Sequence, residues 1–210
     1  MKICFISDTH DQHDRVKVPA ADILIHTGDL TMSGDVASCR KALQWLNAQP
    51  HEYIIVIAGN HDFAFESEHK NVLLLGLDRL TYLENSGTEV KGLKIWGSPV
   101  QPWFHDWAFN IQRGEPIKKY WNEIPEGLDV LITHGPPWGK LDQVIPDRTD
   151  HLGCEELEKR VHEVKPKIHA FGHIHGGYGT MQGKHTKFVN SSLLNEAYQF
   201  VNEPIVIEYE

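Results

Sequence analysis

Five short apolar runs in this chain end in the same kind of polar cluster, and that recurrence limits the folds open to it. Lys2–Ser7 runs into Asp8-Thr9-His10, Ile23–Thr27 into Gly28-Asp29, and Tyr53–Ala58 into Gly59-Asn60-His61-Asp62. Val130–Thr133 runs into His134-Gly135-Pro136, and Ile168–Phe171 into Gly172-His173-Ile174-His175. Continuous Ile/Val/Leu runs without polar alternation predict strands covered on both faces. Leu93–Gly97, Lys187–Asn190 and Ile205–Glu208 read as further strands. Helical segments are expected at Ser33–Ala48, roughly 117–124 and Cys154–Val164, with Ser33 as an N-cap and Pro50 and Pro166 as stop signals. Strands alternating with helices predict an α/β architecture. In such sheets ligands bind beyond the carboxyl ends of the strands, so the five clusters converge in space.

The 210 residues suit a single domain over 1–210 with a sizeable core. A net charge of −9 argues against a surface that grips extended nucleic acid, which is usually basic. It leaves room for a small phosphate-containing substrate, because bound cations reverse the local charge. The three cysteines, Cys4, Cys39 and Cys154, are far apart and form no CxxC, which excludes a disulfide framework and a thiolate zinc site. The amino terminus shows no apolar h-region, and no apolar run is long enough to span a bilayer. A soluble protein in a reducing, cytoplasmic setting, with no membrane partner, is the expectation; the oligomeric state is not readable.

The clusters offer two carboxylates (Asp8, Asp29), a carboxamide oxygen (Asn60) and the imidazoles of His10, His61, His134, His173 and His175. Mixed oxygen and imidazole ligation suits borderline divalent ions rather than calcium or copper(I). With His61 set aside, seven side chains remain, too many for one ion and enough for two that share a carboxylate. Asp8-x-His10 and His173-x-His175 each put two such groups on one side of an extended segment. A single Gly-Asp after a strand is ordinarily a turn. Five ligand-rich turns at five strand ends are not explained that way.

In order, these motifs resemble the calcineurin-like metallophosphoesterase superfamily, whose signature runs Asp-x-His, Gly-Asp, Gly-Asn-His-Asp/Glu, Gly-His and Gly-His-x-His. Here Thr133 stands where the fourth motif usually has glycine. The resemblance spans residues 8–175 and implies a four-layer α/β/β/α sandwich of two mixed sheets flanked by helices, with the metal site at the strand C-terminal ends. It implies that Asp8, His10 and His175 bind one metal, that Asn60, His134 and His173 bind the other, and that Asp29 bridges them. His61 would stand beside the metals as the catalytic residue. Gly-Ser-Pro-Val-Gln-Pro-Trp at 97–103, Asp106-Trp107-Ala108-Phe109, Arg113-Gly114 and Gly176-Gly177-Tyr178-Gly179 look like the metallophosphoesterase-domain-containing, brain-type subgroup. That subgroup is similar to class III cyclic nucleotide phosphodiesterases. The Ser/Thr protein phosphatase branch is less similar, because Leu30-Thr31-Met32-Ser33-Gly34 replaces its Asp-Arg-Gly element.

The implied function is a di-metal phosphodiesterase acting on small substrates such as cyclic nucleotides. Manganese is the expected ion, with iron, zinc and cobalt as alternatives. The ions would lower the pKa of a shared water to about 7, and the resulting bridging hydroxide would attack phosphorus in line. Protonated His61 would stabilise charge or protonate the leaving alkoxide, with Asp62 or Asp35 orienting it. Substrate contacts are expected from Asn60, His61, His175 and Arg113, and, by analogy with the subgroup, from Pro146 and Asp147 beside Arg148. Trp103, Phe104, Trp107 and Phe109 either stack on a base or aryl group or pack the second sheet. A phosphomonoesterase, a protein phosphatase, a nuclease, and a slow nucleotide-binding sensor or scaffold remain as alternatives.

Overall fold

The computed structural model describes residues 1–67, 70–145 and 150–210. In chain order its elements are β1 (Lys2–Ile6), β2 (Ile23–His26), α1 (Val36–Asn47), β3 (Tyr53–Val56), α2 (Lys70–Leu74), β4 (Leu80–Tyr82), β5 (Ser86–Val90), β6 (Leu93–Ser98), β7 (Gln101–Pro102) and β8 (Asn110–Ile111). They continue with α3 (Glu115–Trp121), β9 (Val130–Thr133), α4 (Glu155–Val164), β10 (Ile168–Phe171), β11 (Gly179–Gln182), β12 (Lys187–Asn190) and β13 (Ile205–Glu208).

Two mixed sheets carry the fold. The first has the order β13-β1-β2-β3-β4, parallel except for β13. The second has the order β11-β12-β10-β9-β6-β5, parallel inside and closed by an antiparallel strand at each edge. Because side chains alternate along a strand, β1 sends Ile3 and Phe5 one way and Cys4 and Ile6 the other. Ile3, Phe5, Ile25 and Ile55 meet Ile95, Val130, Ile132 and Ile168 of the second sheet in a shared apolar layer. Cys4, Ile6, Leu24 and Val56 face outward and are covered by Cys39, Ala42, Leu43 and Leu46 of α1. The second sheet's outer face, with Leu131 and Phe171, is covered by Ile117 and Trp121 of α3 and by Leu157 and Val161 of α4. The layers therefore run α/β/β/α. Fully burying each of these large aliphatic side chains contributes roughly 1.5–3 kcal/mol.

All eight strands expected from the apolar runs form. The start of α1 differs: Asp35, not Ser33, is the N-cap, its Oδ1 accepting from the backbone N–H groups of Ala37 and Ser38. Ser33 instead donates its hydroxyl to Asp35 Oδ2 at 3.0 Å. Asp is as good an N-cap as Ser, and its charge adds a favourable interaction with the helix dipole.

Candidate metal centre

The five clusters do meet, at the carboxyl ends of β1, β2, β3, β9 and β10. The backbone bends hard to bring them there. Asp8, His10, Asp29 and His173 all adopt positive φ, at 54°, 39°, 54° and 67°. Side-chain-bearing residues rarely sit in this region, and each costs on the order of 1–3 kcal/mol that the surroundings must offset. A backbone lattice does so: Asp8 N–H donates to Gly28 O (3.0 Å), His10 N–H to Asp29 O (3.2 Å) and Asp11 N–H to Leu30 O (3.1 Å). Glycine is required at two close approaches. A Cβ on Gly172 would strike the carboxylate of Asp8, and one on Gly59 that of Asp29.

Within this lattice Asp29 stands between two histidines. Its Oδ2 lies 3.3 Å from His134 Nε2 and 3.6 Å from His10 Nε2, while Oδ1 accepts the His61 N–H at 2.8 Å. Asp8 Oδ1 lies 3.4 Å from His175 Nε2 and 3.9 Å from His10 Nε2. Both Asp8 oxygens accept the His173 N–H at 3.1 Å, and Oδ2 also accepts the Ser192 hydroxyl at 2.8 Å. Asn60 Oδ1 is 2.8 Å from His134 Nε2. Three groups of buried or half-buried side chains bring their ligand atoms within 4.8 Å of one another: Asp8/His10/His175, Asp29/His134/His173 and His10/Asp29/His61.

Four imidazoles are aimed in the same way. Nδ1 of His10, His134, His175 and His61 faces the carbonyls of Thr31 (3.1 Å), Thr27 (3.0 Å), Asn195 (2.9 Å) and Met32 (2.7 Å). A carbonyl only accepts, so each Nδ1 carries a proton; in the neutral rings of His10, His134 and His175 this leaves the Nε2 lone pair facing the site, the usual outer support of a metal-binding imidazole. His10 Nε2 is buried and has no hydrogen-bond partner among the described residues. A buried unpaired nitrogen between two carboxylates is unfavourable in a folded protein, and a bound cation would satisfy it. With four ring nitrogens, two carboxylates and one carboxamide oxygen, the donor set fits two divalent ions.

The electrostatics follow from this crowding. Burial raises the pKa of Asp8 and Asp29, but the imidazoles around them outweigh it, and both stay well below the ordinary carboxylate range. Burial likewise works against a proton on His134 and His175, yet Asp29 beside the first and Asp8 beside the second push both up to about 9. Burial and the charge on His134 bring His173 down to about 3.

Neither acidic candidate orients His61. Asp35 caps α1, and the buried Asp62 accepts from the N–H groups of Gly59, Leu30 and Thr31 and from the Thr31 hydroxyl at 2.9–3.1 Å. Asp62 thus ties the second cluster to the third, and the Met32 carbonyl takes over the His61 ring. A charged acceptor is not needed there because the backbone already supplies one at 2.7 Å.

A cleft of about 270 Å³ opens over the site. Trp103, Phe104 and Trp107 form one wall, Val144 and Leu152 another. The Trp107 ring lies over His61 with centroids 4.2 Å apart and planes 34° apart. Phe109 departs from these aromatics: it is buried in the core between the first sheet and its helices. Arg113 lines the cleft, but its guanidinium donates to the carbonyls of Gly153 and Leu152, each at 2.8 Å, with Glu155 3.5 Å away. Pro146, Asp147 and Arg148 lie outside the described residues.

Several site residues carry no motif. His26 accepts the Gly28 N–H on Nδ1, so its Nε2–H donates to the Thr9 hydroxyl, which passes its own proton to the Leu30 carbonyl. Ser192 holds Asp8, the Asn195 carbonyl holds His175, and Glu196 and Tyr198 line the cleft. The strand-end rule applied to Lys187–Asn190 would have flagged Asn190-Ser191-Ser192. Inside an apolar strand, His26 gave no signal.

Two face-to-face mixed sheets, helices outside and a carboxylate–imidazole cluster at the strand ends define a metallophosphoesterase. The sequence matches the calcineurin-like phosphoesterase family over residues 1–177, and the chain belongs to that family of metal-dependent phosphoesterases. It is 44% identical over 227 residues to Metallophosphoesterase domain-containing protein 1 of Homo sapiens, covering 97% of this chain and 69% of the human protein. The Mus musculus protein of that name is equally similar. Among solved structures, that of TT1561 of Thermus thermophilus aligns with a TM-score of 0.60 at 14% identity, covering 90% of this chain and 88% of that one. A further solved structure aligns at 0.68 with 16% identity. At such identities the likeness is one of fold. No helix among the described residues is long and apolar enough to cross a membrane, and all three cysteines are buried and free.

Proposed function

We propose that the protein hydrolyses small phosphodiesters, cyclic nucleotides among them, in preference to phosphomonoesters, phosphoproteins or extended nucleic acid. One observation carries this reading. Among the described residues that line the cleft, Arg113 is the only Lys or Arg, and it is spent on the Leu152 and Gly153 carbonyls. Glu196 adds negative charge nearby. A diester has one negative charge and a monoester near neutrality has close to two, so the monoester needs a cationic partner that this wall does not offer. The aromatic wall suits an uncharged, flat ester group. The net charge of −9 argues against a long polyanion.

In this reading Asp8, His10 and His175 hold one divalent ion, Asn60, His134 and His173 hold the other, and Asp29 bridges them. His61 stays outside the ligand set, because its companions His10 and Asp29 each belong to one of the other two groups. Manganese is the proposed metal. When bound, the ions supply Lewis acidity and activate water near neutral pH. The chain's own residues do the rest. His61, its Nδ1–H pinned on Met32 and its ring backed by Trp107, presents the Nε2–H of its imidazolium form to the leaving oxygen and gives it that proton, becoming neutral imidazole. Asn60, through its amide, and His175 border the phosphoryl group, and Trp103 and Phe104 exclude water from the ester group. Three buried free thiols fit a reducing, cytoplasmic compartment.

The test is a manganese-supplemented panel: bis-p-nitrophenyl phosphate, p-nitrophenyl phosphate, 2′,3′- and 3′,5′-cyclic nucleotides, a phosphopeptide and single-stranded DNA. Higher kcat/KM for the singly charged small diesters supports the reading. A monoester or phosphopeptide preference overturns it.

A further inference from the structure

We propose that Tyr198 is a catalytic residue whose phenol donates a hydrogen bond to a phosphoryl oxygen of the substrate, on the His10/His175 side of the site. This rests on reading the site as a di-metal phosphoesterase centre. It concerns a residue beyond the 1–177 family match and outside every ligand motif.

The first observation is position. The Tyr198 ring meets His10, His175 and His61 edge-on, with centroid separations of 4.9, 5.3 and 6.4 Å, and it lines the same cleft. Trp107, which lines the same cleft, lies over the His61 ring. Among the described residues no protein group pairs with its hydroxyl, although the ring is partly covered.

Construction is the second. Tyr198 sits at φ 56°, a conformation that an aromatic residue adopts only when its surroundings impose it. Four hydrogen bonds impose it. The Tyr198 N–H donates to Asn195 O at 2.8 Å, and the Gln12 amide donates to Tyr198 O at 2.9 Å. The Asn195 side-chain oxygen accepts from the N–H groups of Ala197 and Gln199 at 3.0 and 2.9 Å. The Asn195 carbonyl is also the acceptor that fixes His175. One residue thus sets both a candidate ligand and the tyrosine that caps it. Strained backbone of this kind clusters at active sites and ligand clamps.

Charge is the third. A tyrosine hydroxyl is an uncharged group that donates one hydrogen bond. A neutral donor beside anionic carboxylates can approach a phosphoryl oxygen without adding a charge to be neutralised.

The experiment compares wild type, Y198F and Y198A as manganese-loaded full chains. Three quantities are read: bound manganese per chain, the Kd for inorganic phosphate by calorimetry, and kcat and KM for bis-p-nitrophenyl phosphate. The expected result is unchanged manganese in Y198F, with phosphate affinity and kcat/KM each lower by about 10- to 100-fold, the span of a hydrogen bond to a charged group. Phosphate affinity or turnover within about twofold of wild type in Y198F overturns the proposal even if Y198A is impaired, because only the ring would then matter. Loss of manganese in Y198F also overturns it, since the role would be structural. Y198F keeps the ring, so it decides the matter if Y198A fails to fold. A wild-type protein that binds phosphate yet turns over no ester would defeat the phosphodiesterase reading, and the phosphate measurement would still decide the role of Tyr198.

Discussion

His61 donates its Nδ1 proton to the Met32 carbonyl at 2.7 Å, which leaves Nε2 facing the cleft. If Nε2 serves as the proton donor to the leaving group, His61→Ala lowers kcat by roughly 10²–10⁴-fold. Bound manganese stays at wild-type level. Steady-state kinetics and elemental analysis on the same preparation check the pair of outcomes. Asp35→Asn leaves the pH profile of kcat where it was, since Asp35 only caps α1.

Asp29 has a different signature. Its Oδ2 stands 3.3 Å from His134 Nε2 and 3.6 Å from His10 Nε2, so Asp29→Asn removes the charge that both halves of the site share. Metal and activity are expected to fall together. Ser192→Ala, which removes only the hydroxyl on Asp8, weakens manganese affinity by about 10- to 100-fold. Metal titration ranks the two variants, and a retained full complement of manganese in Asp29→Asn would refute the bridging role.

Protons and metal compete for this site. Without metal, His134 and His175 hold protons up to about 9 because of the neighbouring Asp29 and Asp8. Ligation requires neutral imidazoles, so metal uptake near pH 7 releases about two protons. Apparent affinity therefore falls as pH is lowered. Calorimetry in buffers of different ionisation enthalpy measures the number directly, and zero release would contradict the assignment of these two residues.

Acid stability turns on a histidine away from the ligands. His169 is fully buried in β10, donates through Nε2 to the Thr133 hydroxyl at 2.8 Å, and is lowered by burial to about 3. The unfolded chain takes a proton near its ordinary value of about 6.5, while the folded chain refuses it until about 3. Stability is thus fully present above the unfolded value and declines as pH falls toward 3, by up to about 1.4 kcal/mol per unit. His169→Gln keeps a donor but does not titrate, so urea unfolding of that variant shows a shallower decline between pH 6 and 4. An equal slope would refute the account.

The parts of this fold that were legible share a physical cause. Central strands such as β9 and β10 are buried on both faces and must read as unbroken apolar runs. Edge strands need not: β5 (Ser86–Val90) and β11 (Gly179–Gln182) are largely exposed or half-buried and carry Gly, Thr, Glu and Gln. β7 and β8 are two residues each and have no pattern to show. In the site, the ligand candidates were legible because each stands in a polar cluster at a strand end, all but Asp8 and His10 next to a glycine. The groups that orient them were not, because most are backbone carbonyls, identical for every residue type. Tyr198 follows the last motif by more than twenty residues, and only the turn built on Asn195 returns it to His10 and His175.

The carbonyls of Thr27, Thr31, Met32 and Asn195 that aim four imidazoles belong to the main chain. A substitution at any of those positions changes the side chain and leaves the acceptor in place. The orientation of the rings is therefore sheltered from point mutation and inherited with the strand-and-turn geometry itself. Lineages that keep this fold can vary the residues behind the centre while the ring nitrogens keep their aim, and insertions or deletions in the strand-end loops are the changes that would turn them away.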